Sequence, residues 1–371
     1  MFLFVSQLLA WNAVKADVIY DNSKGSPLIP LIQSATKLID IEIYEMSDAN
    51  IELALRNAIS RGVKVRIIHE PIPGGAACHV FQAPTANDSV DCAREKKMVK
   101  YVNAHGGMYI PFSKELCGGD KEHCLNHSKM VIADRKTALI STGNFNSTNL
   151  CDHDANPANC NRDYSYLTQD LQVLRSLVTI FENDLLGKAY DVAQVLMKTG
   201  NQRLTVSPDS MEPTIKFIQN AKSSIQIQTQ YLKDPTMNQA LIDAANRGVK
   251  VYVMTESACG FGSVKASDAA KWEETYSAFD AAGIKSRIFT KQIRVGGLPG
   301  YLHSKAIIVD GMYGWMGSTN GSTQSLTLNR EFGIFFDDYN LLKGLYDQMT
   351  ADYVDEGAES WQQSLNCTKD R

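Results

Sequence analysis

Residues 127–134 read HSKMVIAD, and residues 303–310 read HSKAIIVD. Both have His, Lys two residues on, an apolar run, and Asp seven residues after the His. A short apolar, β-branched run reads as a buried strand, yet each run starts with two groups that are costly to bury. Side chains alternate along a strand, so His and Lys at i and i+2 share one face, while Ser128 and Ser304 point to the other. At the mouth of a strand the pair projects into a cleft, and an imidazole beside an ammonium makes an anion site. An Asn follows seventeen residues after each His, in the turns STGN (141–144) and GSTN (317–320), and offers an amide donor to the same anion.

The repetition extends outward. VIYDNSKGSPLIPLIQSATKLIDIEIYEM from Val18 aligns with LTVSPDSMEPTIKFIQNAKSSIQIQTQYL from Leu204, and SRGVKVRIIHE (60–70) aligns with NRGVKVYVMTE (246–256) at the same offset. The offset from His127 to His303 is shorter by ten, so the first copy carries ten extra residues between Glu70 and His127. The period is far too long for a solenoid. It predicts two homologous domains over 17–200 and 201–371, in line with the chain's 371 residues. Each copy reads as a helix (Pro27–Ile39), a strand (Ile39–Met46), a second helix stopped by Gly62, a β-branched strand and a long loop. The His-Lys strand, a turn, another strand and a closing helix follow. Strands alternating with helices imply an α/β class in which each domain is an α/β/α sandwich.

Hydrophobic content of 44% and charged content of 21% are those of a globular chain, and the net charge of −4 counts against non-specific duplex DNA binding. Six of eight cysteines form close pairs around polar loops: Cys78 and Cys92, Cys117 and Cys124, Cys151 and Cys160. Such loops suggest disulfides and an oxidising compartment, and the spacings suit zinc poorly. Cys259 and Cys367 either pair or stay free. Residues 1–16 lie outside the repeat, and their apolar stretch followed by AVKA reads as a removable signal peptide, hence a secreted or periplasmic protein.

With both motifs in place, the chain resembles the phospholipase D superfamily, marked by HxKx4D and a GSxN-like turn, twice per active site. The resemblance covers nearly everything after residue 17. The first copy departs from the pattern with Ser141 where Gly is usual. The resemblance implies two copies about a pseudo-two-fold axis, one active site between them, and phosphodiester cleavage with no metal or other cofactor. Lys129, Lys305, Asn144 and Asn320 would hold the phosphoryl oxygens. His127 would attack phosphorus, and His303 would serve as acid and base. A later acid recurs, Asp163 in NRDYSYL and Glu331 in NREFGIFF, and would orient the imidazoles. Asp134 and Asp310 sit at turns and read as structural. Lys291 and Arg294, in KQIRVGGLPGYLH, read either as a phosphate-facing loop or as a solvated one. The segment from Asn144 to Asp163 is longer by eight than that from Asn320 to Glu331, so the Cys151–Cys160 loop reads as an insertion beside the site.

The expected substrate is a glycerophospholipid at a membrane surface, hydrolysed to phosphatidate or transferred to an alcohol by a monomer holding both motifs. A nuclease of the same superfamily is the rival, and cardiolipin-synthase-like transfer ranks lower. A catalytically dead scaffold is disfavoured by two complete motif sets. The remaining histidines, His69, His79, His105, His123 and His153, have no counterpart in the other copy. Glu70 and Glu256 recur at strand ends, either at the cleft rim or as strand termini.

Overall fold

The structure is a computed structural model that describes residues 17–74, 78–260, 264 and 266–367, so the expected leader over 1–16 lies outside the described residues. The first half contains β1 (Val18–Asp21), α1 (Leu28–Ser34), β2 (Leu38–Ile43), α2 (Ala49–Ser60), β3 (Lys64–His69), α3 (Val90–Ala104) and β4 (Met108–Pro111). It continues with β5 (Lys129–Ala133), β6 (Thr137–Ser141), α4 (Ser147–Leu150), β7 (Cys160–Arg162), β8 (Tyr164–Thr168) and α5 (Leu171–Leu186). After α6 (Val192–Thr199) the second half repeats the plan: β9 (Leu204–Ser207), α7 (Met211–Gln219), β10 (Ser224–Thr229), α8 (Pro235–Asn246), β11 (Lys250–Glu256), α9 (Ala266–Ala281) and β12 (Lys285–Phe289). There follow β13 (Arg294–Val295), β14 (Leu298–Leu302), β15 (Lys305–Val309), β16 (Tyr313–Gly317), α10 (Thr323–Thr327), β17 (Glu331–Phe336), α11 (Tyr339–Val354) and α12 (Trp361–Leu365).

The described strands form two seven-stranded sheets of identical topology, β1-β8-β6-β5-β2-β3-β4 and β9-β17-β16-β15-β10-β11-β12, and a small third sheet, β13-β14-β7. In each, the β2-β3-β4 or β10-β11-β12 edge is parallel and the other pairings are antiparallel. The chain is thus two α/β/α units related by a pseudo-two-fold axis. Leu31, Ile32, Ile51, Leu55, Met98 and Val102 from α1, α2 and α3 bury the outer face of the first sheet against Ile39, Ile41, Val65 and Ile67. The α7–α9 side of the second sheet is closed the same way. The inner faces share one core: Met130, Ile132, Tyr166 and Phe181 pack in the same cluster as Ile308, Met316, Phe332, Phe336 and Met349. Burying about 25 cal/mol per Å² of apolar surface, such a shared core holds the halves in fixed register.

Two departures from the sequence reading have local causes. The helix expected over Pro27–Ile39 ends at Ser34. Asp134 Oδ1 accepts the backbone N–H groups of Lys37 and Leu38, and Oδ2 that of Thr36, at 2.8–2.9 Å, so those donors leave the helical ladder and start β2. The interval read as a long loop contains α3 and β4. The buried side of α3 includes Cys92, Glu95 and Lys96, so no clean apolar stripe announces it.

All four disulfides form: Cys78–Cys92, Cys117–Cys124, Cys151–Cys160 and Cys259–Cys367. Among the described residues no helix is long and apolar enough to cross a membrane.

Candidate active site

His127 and Lys129 enter at the start of β5, His303 and Lys305 at the start of β15. Each entry is fixed from below by its own half. Glu70, at the end of β3, accepts the backbone N–H of Asn126 at 2.8 Å, and Glu256, at the end of β11, accepts that of Leu302. Both acids are buried, so the role left open between rim and strand terminus is the second: they hold the residue just before each His. Ser128 and Ser304 point away, onto Asn126 and Gln228.

The other side of each His belongs to the opposite half. His127 N–H donates to the carbonyl of Arg330 at 2.9 Å, and His303 N–H to that of Arg162 at 3.3 Å. The imidazoles follow the same exchange. His127 Nδ1 lies 2.9 Å from Glu331 Oε2, and His303 Nδ1 lies 3.1 Å from Asp163 Oδ1. Each acid therefore serves the other half's histidine and places the proton on Nδ1, which leaves Nε2 as the reactive nitrogen; on His303 that nitrogen lies 3.3 Å from Lys305 Nζ. Lys305 Nζ reaches the carbonyl of Thr142 at 3.3 Å, in the first half's turn. Lys129 and Lys305 also bond back to the carbonyls of His127 and His303.

Burial sets the electrostatics. It pushes both imidazoles down to about 4, helped by the lysines and opposed by Glu331 at His127 and Asp163 at His303. Burial also lowers Lys305 to about 8 and Lys129 well below an ordinary lysine. Burial works against the charge of Asp163 and Glu331, but His303 and His127 respectively, with the lysines, outweigh it and hold both below the usual carboxylate range. The ammonium forms of the two buried lysines are disfavoured by burial, so an anion brought beside them would favour their charge. The buried Oδ1 atoms of Asn144 and Asn320 accept no hydrogen bond from protein.

The remaining residues singled out in the sequence sit elsewhere. Asp134 and Asp310 occupy left-handed turns (φ 53° and 57°) and clamp the starts of β2 and β10. Burial alone would raise Asp134, but the backbone donors of Leu38, Thr36 and Lys37, with the Thr36 hydroxyl, bring it down to about 2. Arg294 is exposed on the β13–β14 hairpin, which pairs with β7 through β14. That arrangement gives the Lys291–Arg294 segment the solvated-loop alternative rather than a place among the buried His and Lys groups.

Sequence reading missed several supports. Arg162 and Arg330 precede the acids and cross the interface in buried ion pairs. Arg162 meets Asp352 on α11 at 2.9 Å, and Arg330 meets Asp184 on α5 at 3.1 Å. The repeated Asn-Arg-acid triplet was the available signal. Glu42 lies buried by Asp184; burial and the Asp184 charge raise it well above an ordinary carboxyl, and burial raises Asp184 too. Gln228, its counterpart in the second copy, is neutral and bonds Tyr164, Ser304 and Asp352. Glu45 accepts the side-chain amides of Asn144 and Asn146 at 3.1 and 3.0 Å, where the second half has Tyr231.

Two half-sites exchanged His-to-acid across a pseudo-two-fold axis define a phosphodiester-active enzyme of the phospholipase D superfamily. The family profile described as "Cardiolipin synthase, PLD-like domain" matches residues 28–185 and 214–353, and the chain belongs to that family. The cardiolipin synthase of Oceanobacillus iheyensis is 31% identical, over 91% of this chain and 68% of that one. The cardiolipin synthase of Clostridium perfringens strain SM101 is 25% identical, over 91% and 70%. Among solved structures, the phosphatidylserine synthase of Haemophilus influenzae shares the fold with a TM-score of 0.64 at 14% identity, over 92% of this chain and 87% of that one.

Proposed function

We propose that this protein cleaves the head-group phosphodiester of a glycerophospholipid through a phosphohistidine and passes the phosphatidyl group to an alcohol or to water. The observation that carries the reading is the exchange of histidines and acids between halves, which makes one centre from two motifs. His127 Nε2 attacks phosphorus, and the bond to the head-group oxygen breaks as that oxygen takes the Nε2 proton of His303. His303, now neutral, takes a proton from the incoming alcohol or water, whose oxygen displaces His127 from phosphorus. Lys129, Lys305, Asn144 and Asn320 hold the non-bridging oxygens, a preorganised set worth about 10²–10³-fold per donor in comparable sites. The bound anion also returns charge to His303: a phosphodiester beside Nε2 favours the imidazolium that burial disfavours.

The curated relatives are named cardiolipin synthases, which supports a lipid substrate and shifts weight from hydrolysis toward transfer. Both motifs lie in one chain, which supports a monomeric unit. Pairing of all eight cysteines supports work in an oxidising compartment, secreted or periplasmic.

The test is a panel of phosphatidylcholine and phosphatidylethanolamine vesicles, with and without an added alcohol, beside single-stranded and duplex DNA, run with wild type and His127→Ala. The reading predicts head-group release that survives chelator, a new phospholipid when alcohol is present, and neither with His127→Ala. DNA degradation without head-group release would overturn it in favour of a nuclease.

A further inference from the structure

The two acids are held by different means. Each carboxylate gives one oxygen to a histidine and the other to an Asn amide. Glu331 Oε1 takes its amide from Asn329, two residues earlier, at 3.1 Å. Asn161, the counterpart of Asn329, instead accepts from Asn159. Asp163 Oδ2 takes its amide from Asn149 on α4, at 2.7 Å. The same Nδ2 lies 3.2 Å from His303 Nδ1. Nδ1–H donates to Asp163 Oδ1, so the amide donates to Asp163 and only packs against the ring. Asn149 is buried, and its carbonyl accepts from Asn22 at 3.2 Å.

Asn149 is tied to Asp163 through the Cys151–Cys160 disulfide. Cys151 follows α4 directly, and Cys160 opens β7, whose last residue, Arg162, receives the His303 N–H. β7 pairs in parallel with β14, the strand leading into His303. Gly296, in the hairpin before β14, passes so close that a Cβ there would fall 2.6 Å from Cys151 Sγ. The second half has Ser325 at the position of Asn149 and no such loop.

We infer that Asn149, fixed by the Cys151–Cys160 disulfide, is a positioning residue for the Asp163–His303 pair, and that the inserted loop exists to place it. The inference rests on the proposed function, in which His303 protonates the departing head group. Asn149 acts on His303 only through Asp163, so its loss weakens proton delivery and spares the attack by His127.

Leaving-group chemistry separates these steps. p-Nitrophenolate departs without a proton, whereas an alkyl head group needs one. Asn149→Ala should release choline from phosphatidylcholine about 10–100-fold more slowly, the range for losing an outer-layer partner. Its p-nitrophenolate burst from a phosphatidyl-p-nitrophenol should stay within about 3-fold of wild type, because that step bypasses the acid. Cys151→Ala/Cys160→Ala should show the same signature at smaller amplitude. Asn149→Ser, which installs the residue of the second half, repeats the test with a short hydroxyl in place of the amide donor. Equal losses on both substrates, no loss on either, or failure of both Asn149 variants to fold would overturn the inference. Wild type that releases neither choline nor p-nitrophenolate would instead remove the proposed function.

Discussion

The turn that carries the motif Asn, Asn144 or Asn320, is built twice, around Gly317 in the second half and Ser141 in the first. A Cβ on Gly317 would fall 2.3 Å from the Phe332 carbonyl oxygen and 2.5 Å from Gly333 Cα. Gly333 in turn leaves room for Trp315, whose Nε1 donates to Thr205 at 3.0 Å. In the first half the facing pair is Ser141 and Ser165, with Leu139 in place of Trp315. Ser165 Oγ donates to Asn22 at 2.8 Å and contacts Ser141 Oγ at 3.3 Å. A glycine is needed two residues later instead: a Cβ on Gly143 would fall 2.6 Å from the Asp163 carboxylate. Equivalent geometry is thus reached by two packings, and the departure at Ser141 is absorbed by its partner across the strand.

The largest test of the comparison asks whether the halves make one site. His127→Ala and His303→Ala should each lower head-group release by at least about 10⁴-fold, and the double variant should be no worse, as expected for residues acting as one unit. Two independent sites would each leave about half the activity, a result steady-state kinetics on vesicles would show at once.

Next comes the exchange of acids. Glu331→Gln should slow the p-nitrophenolate burst about 10–100-fold, because Glu331 serves His127, while Asp163→Asn should slow alkyl head-group release and spare the burst. The opposite assignment would mean that each acid serves its own half.

The packing of the turns sets the third effect. Gly317→Ser should cost about 1–3 kcal/mol in urea unfolding, as overpacked sites do. Ser141→Gly should cost about 0.5–1 kcal/mol, mostly backbone entropy.

The smallest concerns Glu42 against Gln228. Glu42 is raised above its ordinary 4.5 by burial and Asp184, so it folds protonated. Its contribution is fully present below the unfolded value and is lost as pH rises through the folded one. Glu42→Gln removes that loss, so thermal unfolding should show it level with wild type near pH 4 and about 2 °C or more higher at pH 8.

Much of this was legible in sequence because the repeat supplied its own alignment. The motif hairpins and the two-domain plan followed from spacing, and the paired acids from the recurring NRD and NRE segments despite their unequal distances from Asn144 and Asn320. What escaped has physical reasons. α3 buries Glu95 and Lys96, which break its apolar stripe. Asp134 ends α1 early from far along the chain. Which acid serves which histidine is a long-range fact: Asp163 lies 140 residues from His303, and nothing local to NRDYSYL points there. Asn149 had no counterpart, so a search for duplicated residues passed over it.

The central claim is one site in which His127 is the nucleophile and His303 the acid and base. The most direct measurement is to quench the reaction with phosphatidyl-p-nitrophenol and map the adduct by peptide mass spectrometry. The account predicts phosphatidyl-histidine at His127, accumulating further in His303→Ala. An adduct at His303, or one divided between the two, would contradict it.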